Sequence, residues 1–466
     1  MPQFTVSHSR FATSQCRFEM LLGTLAALLG GCSNVTADSS AAPERGFVVA
    51  PDGSAEVDAS SEQFDAEAAD AAPQVVQPYA DATSNRAGTP PAAAPEPKPQ
   101  PSAAAPAAKP SMPPLANPAP GSKFFVGANF WNIGWQGRGD YFTSSPSFAA
   151  TTNPWRQDFV RDLAPYHVLR FMDWNLTNTS NNAQARWNTR LKKTDDQRNS
   201  VALEWQIDLC NRARTDCWIT VPHESEPDYW KQLAALVHDT LDPRWRIYVE
   251  WSNEVWNEQF PQRGYARSRG EALQLPGSDK AASYYVYQSV RVFEAFEAEL
   301  GKDSPRLVKI LAGQAEWSGP CETHLTALAD AKINPNRTRA TAYAIAPYVK
   351  GASSSAIRAS IGKVRQWVAD NAACARKAEL PLISYEGGPD SFGSDDGQAC
   401  QKLQHDPAMR GVYTSFLDVM YDAKLLGPFM QYTHSGACWG LKQSTSDTLA
   451  NAPKYQALLD WVAAHP

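Results

Sequence analysis

Two short stretches carry carboxylates that could work as a pair. One reads Ile247-Tyr248-Val249-Glu250-Trp251-Ser252-Asn253-Glu254-Val255-Trp256-Asn257, and the other Ile383-Ser384-Tyr385-Glu386-Gly387-Gly388. Each begins as an apolar, β-branched and aromatic run of strand type and finishes on a glutamate. Strand alternation puts Tyr248, Glu250, Ser252 and Glu254 on one face. Aiming two carboxylates inward is costly unless both are paired or used. Two carboxyls facing each other across a cleft can break a glycosidic bond: one protonates the leaving oxygen while the other attacks C1. A separation of about 5 to 5.5 Å goes with retention of configuration, and about 6.5 to 9.5 Å with inversion. The acid needs a raised pKa, which burial and the second carboxylate supply. Glu250 lies one pleat deeper than Glu254 and is expected to orient its neighbours. An Asn-Glu dipeptide alone carries little weight, since about one is expected by chance in a chain this long; its place at a strand end raises it.

The elements that must position these groups repeat along the chain. Strand-like runs fall at 123–130, 167–172, 217–223, 246–251, 307–312, 341–346, 380–385 and 427–432. Helical periodicity lies between them, at 200–214, 227–241, 280–300 and 356–373. Strand then helix, about eight times over, is the pattern of a (β/α)8 TIM barrel. A doubly wound sheet would show a Gly-rich phosphate turn after an early strand, and none is visible. In a barrel the site forms at the C-terminal ends of the strands. Those ends carry Asn129, Arg170, His223, Asn253 with Glu254, Tyr348, Glu386 and Trp439. Strands four and seven lie on opposite sides of an eight-stranded barrel, so Glu254 and Glu386 are expected to face each other across its mouth.

These strand-end residues resemble those of the clan A glycoside hydrolases, which include the family 5 cellulases and mannanases. In that clan an Asn-Glu pair ends strand four and a Glu ends strand seven. The resemblance implies that Glu254 is the acid/base and Glu386 the nucleophile of a retaining double displacement on a β-linked polysaccharide or oligosaccharide. It implies further that Asn253 binds the sugar 2-hydroxyl, that Arg170 orients the nucleophile, and that Tyr348 and His223 match a strand-six and a strand-three residue. Trp439 matches the strand-eight sugar floor. The usual Asn-Glu-Pro is here Asn253-Glu254-Val255, and the string EWSNEVWN is similar to bacterial exported proteins of the clan rather than to family 5. The likeness runs motif by motif over about 123–466, within the expected catalytic domain of 121–466. Asn129 and Trp256 complete the expected substrate-binding set.

Of the 15 Trp and 16 Tyr, nearly all lie beyond residue 120, a richness that suits stacking on sugar faces as well as a large core. Trp131, Trp135, Trp174, Trp251 and Trp256 cluster near strand ends, where one or two are expected to stack on sugars. Glu224, Glu226, Glu258 and Glu316 are loop carboxylates. The net charge of −6 supplies no basic stripe for nucleic acid. No CxxC or HExxH spacing suggests a metal, and no cofactor is implied.

The amino-terminal part reads as an address. Residues 20–31, MLLGTLAALLGG, are apolar and too short to span a membrane, and Arg10 and Arg17 precede them. Leu29-Gly30-Gly31-Cys32 resembles a bacterial lipobox, which implies a signal peptide at 1–31 and a diacylglycerol on Cys32. Ser33 in place of Asp resembles the pattern sent to the outer membrane. Residues 32–120, acidic and then Pro/Ala-rich, are expected to be a disordered linker. The membrane is thus expected as a partner through this anchor alone, and the protein as a monomer. Cys210, Cys217, Cys321, Cys374, Cys400 and Cys438 suggest up to three disulfides in an exported chain, with Cys210–Cys217 the favoured pair. Two other functions fit the same residues: a non-catalytic glycan-binding lipoprotein and an envelope transglycosylase.

Overall fold

Eight short parallel strands close into a barrel: β1 (Phe125–Asn129), β2 (Val168–Arg170), β3 (Asp216–Val221), β4 (Ile247–Trp251), β5 (Leu307–Ala312), β6 (Ala342–Ile345), β7 (Leu382–Ser384) and β8 (Pro428–Gln431). They follow one another around the ring in sequence order, and β1 meets β8 with Phe125 opposite Pro428. In this computed structural model the described residues are 115–144, 146–301, 305–391, 398–436 and 439–466. The expected signal peptide, the lipid-bearing Cys32 and the linker as far as 114 lie outside them.

Alternation along each strand sorts the core into two layers. Phe125, Val168, Trp218, Tyr248, Ile310, Ile383 and Met430 fill the barrel, while Val126, Leu169, Ile219, Val249 and Leu311 face the surrounding helices. Inside, the stacked Trp218 and Tyr248 rings, 5.3 Å apart, need small residues opposite them, and β6 provides Ala342 and Ala344. The main helices are α1 (Leu203–Ala213), α2 (Pro227–Thr240), α3 (Pro261–Ala272), α4 (Lys280–Leu300), α5 (Gly319–Ala329), α6 (Gly362–Arg376), α7 (Ala408–Asp422) and α8 (Pro453–Ala464). Proline in the first turn starts α2, α3, α5 and α8, and the Asp279 carboxylate caps α4 by accepting from Ala282 N.

Three expectations change in detail. The single helix expected over 356–373 is two, Ser354–Ser360 and α6, meeting at Ile361. The barrel also recruits chain from before 121. Asn117 donates to His167 O and Asp216 Oδ1, both at 3.1 Å, and its own carbonyl accepts from Arg246. Cys210 and Cys217 are not bonded to each other. Both are buried free thiols that meet where α1 packs on β3, in hydrogen-bond rather than covalent contact. The disulfide joins Cys321 of α5 to Cys374 of α6, and Cys400 is disulfide-bonded as well.

Candidate active site

The end of β4 departs from the alternation read in the sequence. The strand stops at Trp251, and Ser252 and Glu254 both take left-handed backbone, with φ of 64° and 41°. Non-glycine residues hold this conformation at a cost of about 1 to 3 kcal/mol, sustained by surrounding bonds. Here Ser252 N donates to Val221 O at 2.7 Å, and Asn257 N donates to Glu254 O at 2.9 Å. The twist places Asn253 and Glu254 side by side at the barrel mouth. After β7, Gly387 and Gly388 adopt φ of 153° and 140°. A side chain on Gly387 would meet Pro347 O at 2.7 Å, so the chain can turn there only as glycine. Beyond the barrel a short parallel pair forms, Tyr348–Lys350 with Gly388–Asp390, and it sets Tyr348 opposite Gly388.

Arg170, at the end of β2, organises the floor. It is completely buried. Its Nε donates to Glu250 Oε2 at 3.0 Å, Nη1 to Glu386 Oε2 at 2.9 Å and to Asn129 Oδ1 at 3.2 Å, and Nη2 to Asn253 Oδ1 at 2.9 Å. Burial opposes its charge, but Glu250 and Glu386 outweigh burial and hold its pKa above the ordinary value. Glu250 does orient its neighbours: besides Arg170 it accepts from Trp218 Nε1 at 2.9 Å. Asn129 reaches across to Tyr385, donating to its carbonyl at 3.1 Å. Asn253 Nδ2 donates to Asn178, which also accepts from Gln262.

The two glutamates have different surroundings. Glu386 takes Arg170 on one oxygen and the Tyr348 hydroxyl, at 2.9 Å, on the other. Burial keeps that hydroxyl protonated, because the Tyr348 pKa lies well above 10. Glu254 is held only by neutral donors: Tyr385 OH at 2.8 Å and Asn257 Nδ2 at 2.9 Å. Burial raises both glutamates. Glu254 rises to about 7, through burial and then the charge of Glu386. Arg170 touches Glu386 alone of the two, so a proton shared by the pair rests on Glu254.

Six of the sequence candidates therefore meet in one network: Glu254, Glu386, Asn253, Asn129, Arg170 and Tyr348. The rest stand further out. Trp256 lies half-buried beside Tyr385. Trp439 packs on Trp131 and Tyr432, with ring centroids 5.2 and 5.9 Å away, and donates to Asp390 at 3.0 Å. His223 is buried and bonded to neither glutamate; its Nδ1 pairs with Thr177 O at 3.3 Å and its ring packs on Tyr265. Trp174 and Trp251 are core residues, Trp131 is half-buried at the mouth, and the expectation for the Trp135 side chain lies outside the described residues. Glu224 accepts from Asn181 N, Glu226 pairs with Arg186 and Glu258 with Arg263, while Glu316 is exposed.

Sequence reasoning missed Tyr385 and Asn257, the partners of Glu254. Tyr385 carried a signal, since it stands two residues beyond the inward-facing Ile383. Asn257 follows Glu254 by three residues, the spacing of the turn. Asp173 and Tyr432, which join by a 2.8 Å hydrogen bond, carried none. Among the described residues no group of three or more His, Cys, Asp or Glu is placed to hold a metal ion.

No family model and no curated protein sequence matches the chain. Solved structures with a similar chain path include the GH51 arabinofuranosidase from Xanthomonas axonopodis pv. citri, at 14% identity over 74% of this chain and 73% of that one, with a TM-score of 0.48. A 4-O-α-L-rhamnosyl-β-D-glucuronidase from Fusarium oxysporum is 14% identical over 76% and 72%, with a TM-score of 0.45. A modular endo-β-1,4-mannanase of glycoside hydrolase family 26 from Cellulomonas fimi is 10% identical over 74% and 71%, with a TM-score of 0.42.

Proposed function

We propose that this chain is a retaining glycoside hydrolase that cleaves a β-linked polysaccharide or oligosaccharide, with Glu254 as acid/base and Glu386 as nucleophile. The observation that carries the reading is the unequal treatment of the two carboxyls. Arg170 and Tyr348 stabilise negative charge on Glu386 and fix its oxygens, whereas Glu254, with neutral donors and a pKa near 7, keeps a proton. In the first step Glu254 gives that proton to the departing glycosidic oxygen as Glu386 bonds to C1. In the second, Glu254 takes a proton from water, the water oxygen attacks C1, and the Glu386–C1 bond breaks. Glu250 and Asn129 act through Arg170, which they brace. Trp439 and Trp131 offer aromatic faces to the sugar. The place of action is the bacterial cell envelope, reached through a lipid on Cys32; this part rests on the amino-terminal sequence.

The deciding experiment combines a trap with a product assay. A panel of 2-deoxy-2-fluoro glycosyl fluorides is incubated with the protein, and peptide mapping locates any adduct. The reading expects a sugar on Glu386 and products that retain configuration by NMR. An adduct elsewhere removes the nucleophile assignment, and inverted products remove the double displacement.

A further inference from the structure

Asp173 sits at the mouth, three residues past Arg170 in the turn that follows β2. It performs no capping role: the Leu176 amide bonds its backbone carbonyl, not its side chain. One carboxylate oxygen accepts from Tyr432 OH at 2.8 Å, and among the described residues nothing donates to the other. The residue is half-buried. Tyr432 is itself buried, at the end of β8, between the edges of Trp131, Trp439 and Tyr348, with centroids 6.1, 5.9 and 6.4 Å away. Tyr348 in turn holds Glu386. An aromatic wall thus runs from the nucleophile outward, and Asp173 stands at its edge with one acceptor unused.

Charge narrows what can lie there. Arg170 is the one cation, among the described residues, bonded into this cluster, and Glu250, Glu386, Asn129 and Asn253 already engage it. The other carboxyls there, those of Glu254, Asp173 and the Asp390 that accepts from Trp439, supply no positive charge. An anionic sugar would meet repulsion without an available counter-charge. A neutral sugar would lay its apolar face on an indole and give a hydroxyl proton to the carboxylate.

We propose that Asp173, clamped by Tyr432, is a specificity-determining residue that accepts a hydroxyl of an uncharged sugar lying against Trp131 and Trp439. The inference rests on the glycan-cleaving reading of the site and deepens it by naming neutral sugars over uronic acids. Burial and then the charge of Glu386, with Tyr432 opposing, bring the Asp173 pKa to about 7, which marks a carboxylate short of donors that a sugar hydroxyl would supply.

The test measures binding without turnover, in the full chain carrying Glu386→Gln. Tryptophan fluorescence titrations use cellohexaose, mannohexaose, xylohexaose and hexagalacturonic acid. At least one neutral hexasaccharide is expected to bind, with the uronate bound about tenfold more weakly or not at all. Adding Asp173→Ala is expected to weaken the preferred neutral ligand by about tenfold, and Asp173→Asn, which keeps shape and one acceptor, by less. Deoxygenating the terminal residue of that ligand at the contacted position should erase the difference between Asp173→Ala and its parent, which a structural role would not do. Equal affinity of parent and Asp173→Ala for every ligand, or tighter binding of the uronate, overturns the proposal. Binding without any hydrolysis by the wild type would sink the cleavage step of that reading alone, because the inference draws only on its sugar-binding part and would stand. No binding of any saccharide would overturn both.

Discussion

Arg170 and Glu386 form a 2.9 Å ion pair in which the guanidinium has no exposure to solvent. The same guanidinium neutralises Glu250, also buried, so one cation serves two carboxylates. Removing it strands charge in the barrel. Arg170→Met is expected to lower unfolding free energy by about 3 to 5 kcal/mol and to abolish activity. Urea denaturation checks the first part; stability equal to wild type would mean that the network is not formed.

Tyr348 contributes one charge-assisted hydrogen bond to Glu386. Tyr348→Phe deletes only that hydroxyl. A bond of this kind contributes about 1.5 to 3 kcal/mol, so kcat/KM should fall roughly 10- to 100-fold with the fold intact. Steady-state kinetics and circular dichroism together decide it. Unchanged kinetics would free Tyr348 from its role.

Glu386→Ala should nearly abolish turnover, and added azide should restore part of it through a glycosyl azide of inverted configuration. NMR of that product is the measurement. Azide of retained configuration would reassign the nucleophile.

The pH dependence follows from Glu254. Its pKa rises from the ordinary glutamate value of 4.5 to about 7 in the fold, so kcat/KM on unactivated substrates should fall as pH climbs through about 7. Glu254→Gln should remove that limb and spare aryl glycosides with good leaving groups in the first step. Stability carries a linked signature. The folded state binds more protons than the unfolded state between pH 4.5 and about 7, so stability falls across that window as pH rises. Glu254→Gln should therefore match wild type near pH 4 and exceed it well above pH 7, on the order of 3 kcal/mol. Parallel stability profiles would contradict the raised pKa.

Much of this was legible before any coordinates. Short continuous apolar runs marked the eight strands, because a residue that faces the helices and one that faces the barrel must both be apolar, whereas strand ends need not be. Arg170, Asn253 and Glu386 stood out for that reason. Two things were not legible. Extrapolating β4 by alternation put Ser252 and Glu254 on a continued strand, yet local left-handed turns, which no residue type there demands, aim Glu254. Asp173 and Tyr432 are 259 positions apart, and only closure of the ring of strands brings them together. Cys210 and Cys217 illustrate the opposite error. Closeness in sequence suggested a bond, but helix-on-strand packing leaves both as thiols, whereas Cys321 and Cys374 are paired across 53 positions.

Asn117 fastens the incoming chain to His167, Asp216 and Arg246, residues at the starts of β2 to β4. That is the pole of the barrel remote from Glu254 and Glu386. Whatever is attached just upstream of residue 115 is therefore joined at the pole away from the two glutamates. An expression boundary drawn at 121 would discard this fastening, whereas one drawn before 115 keeps it.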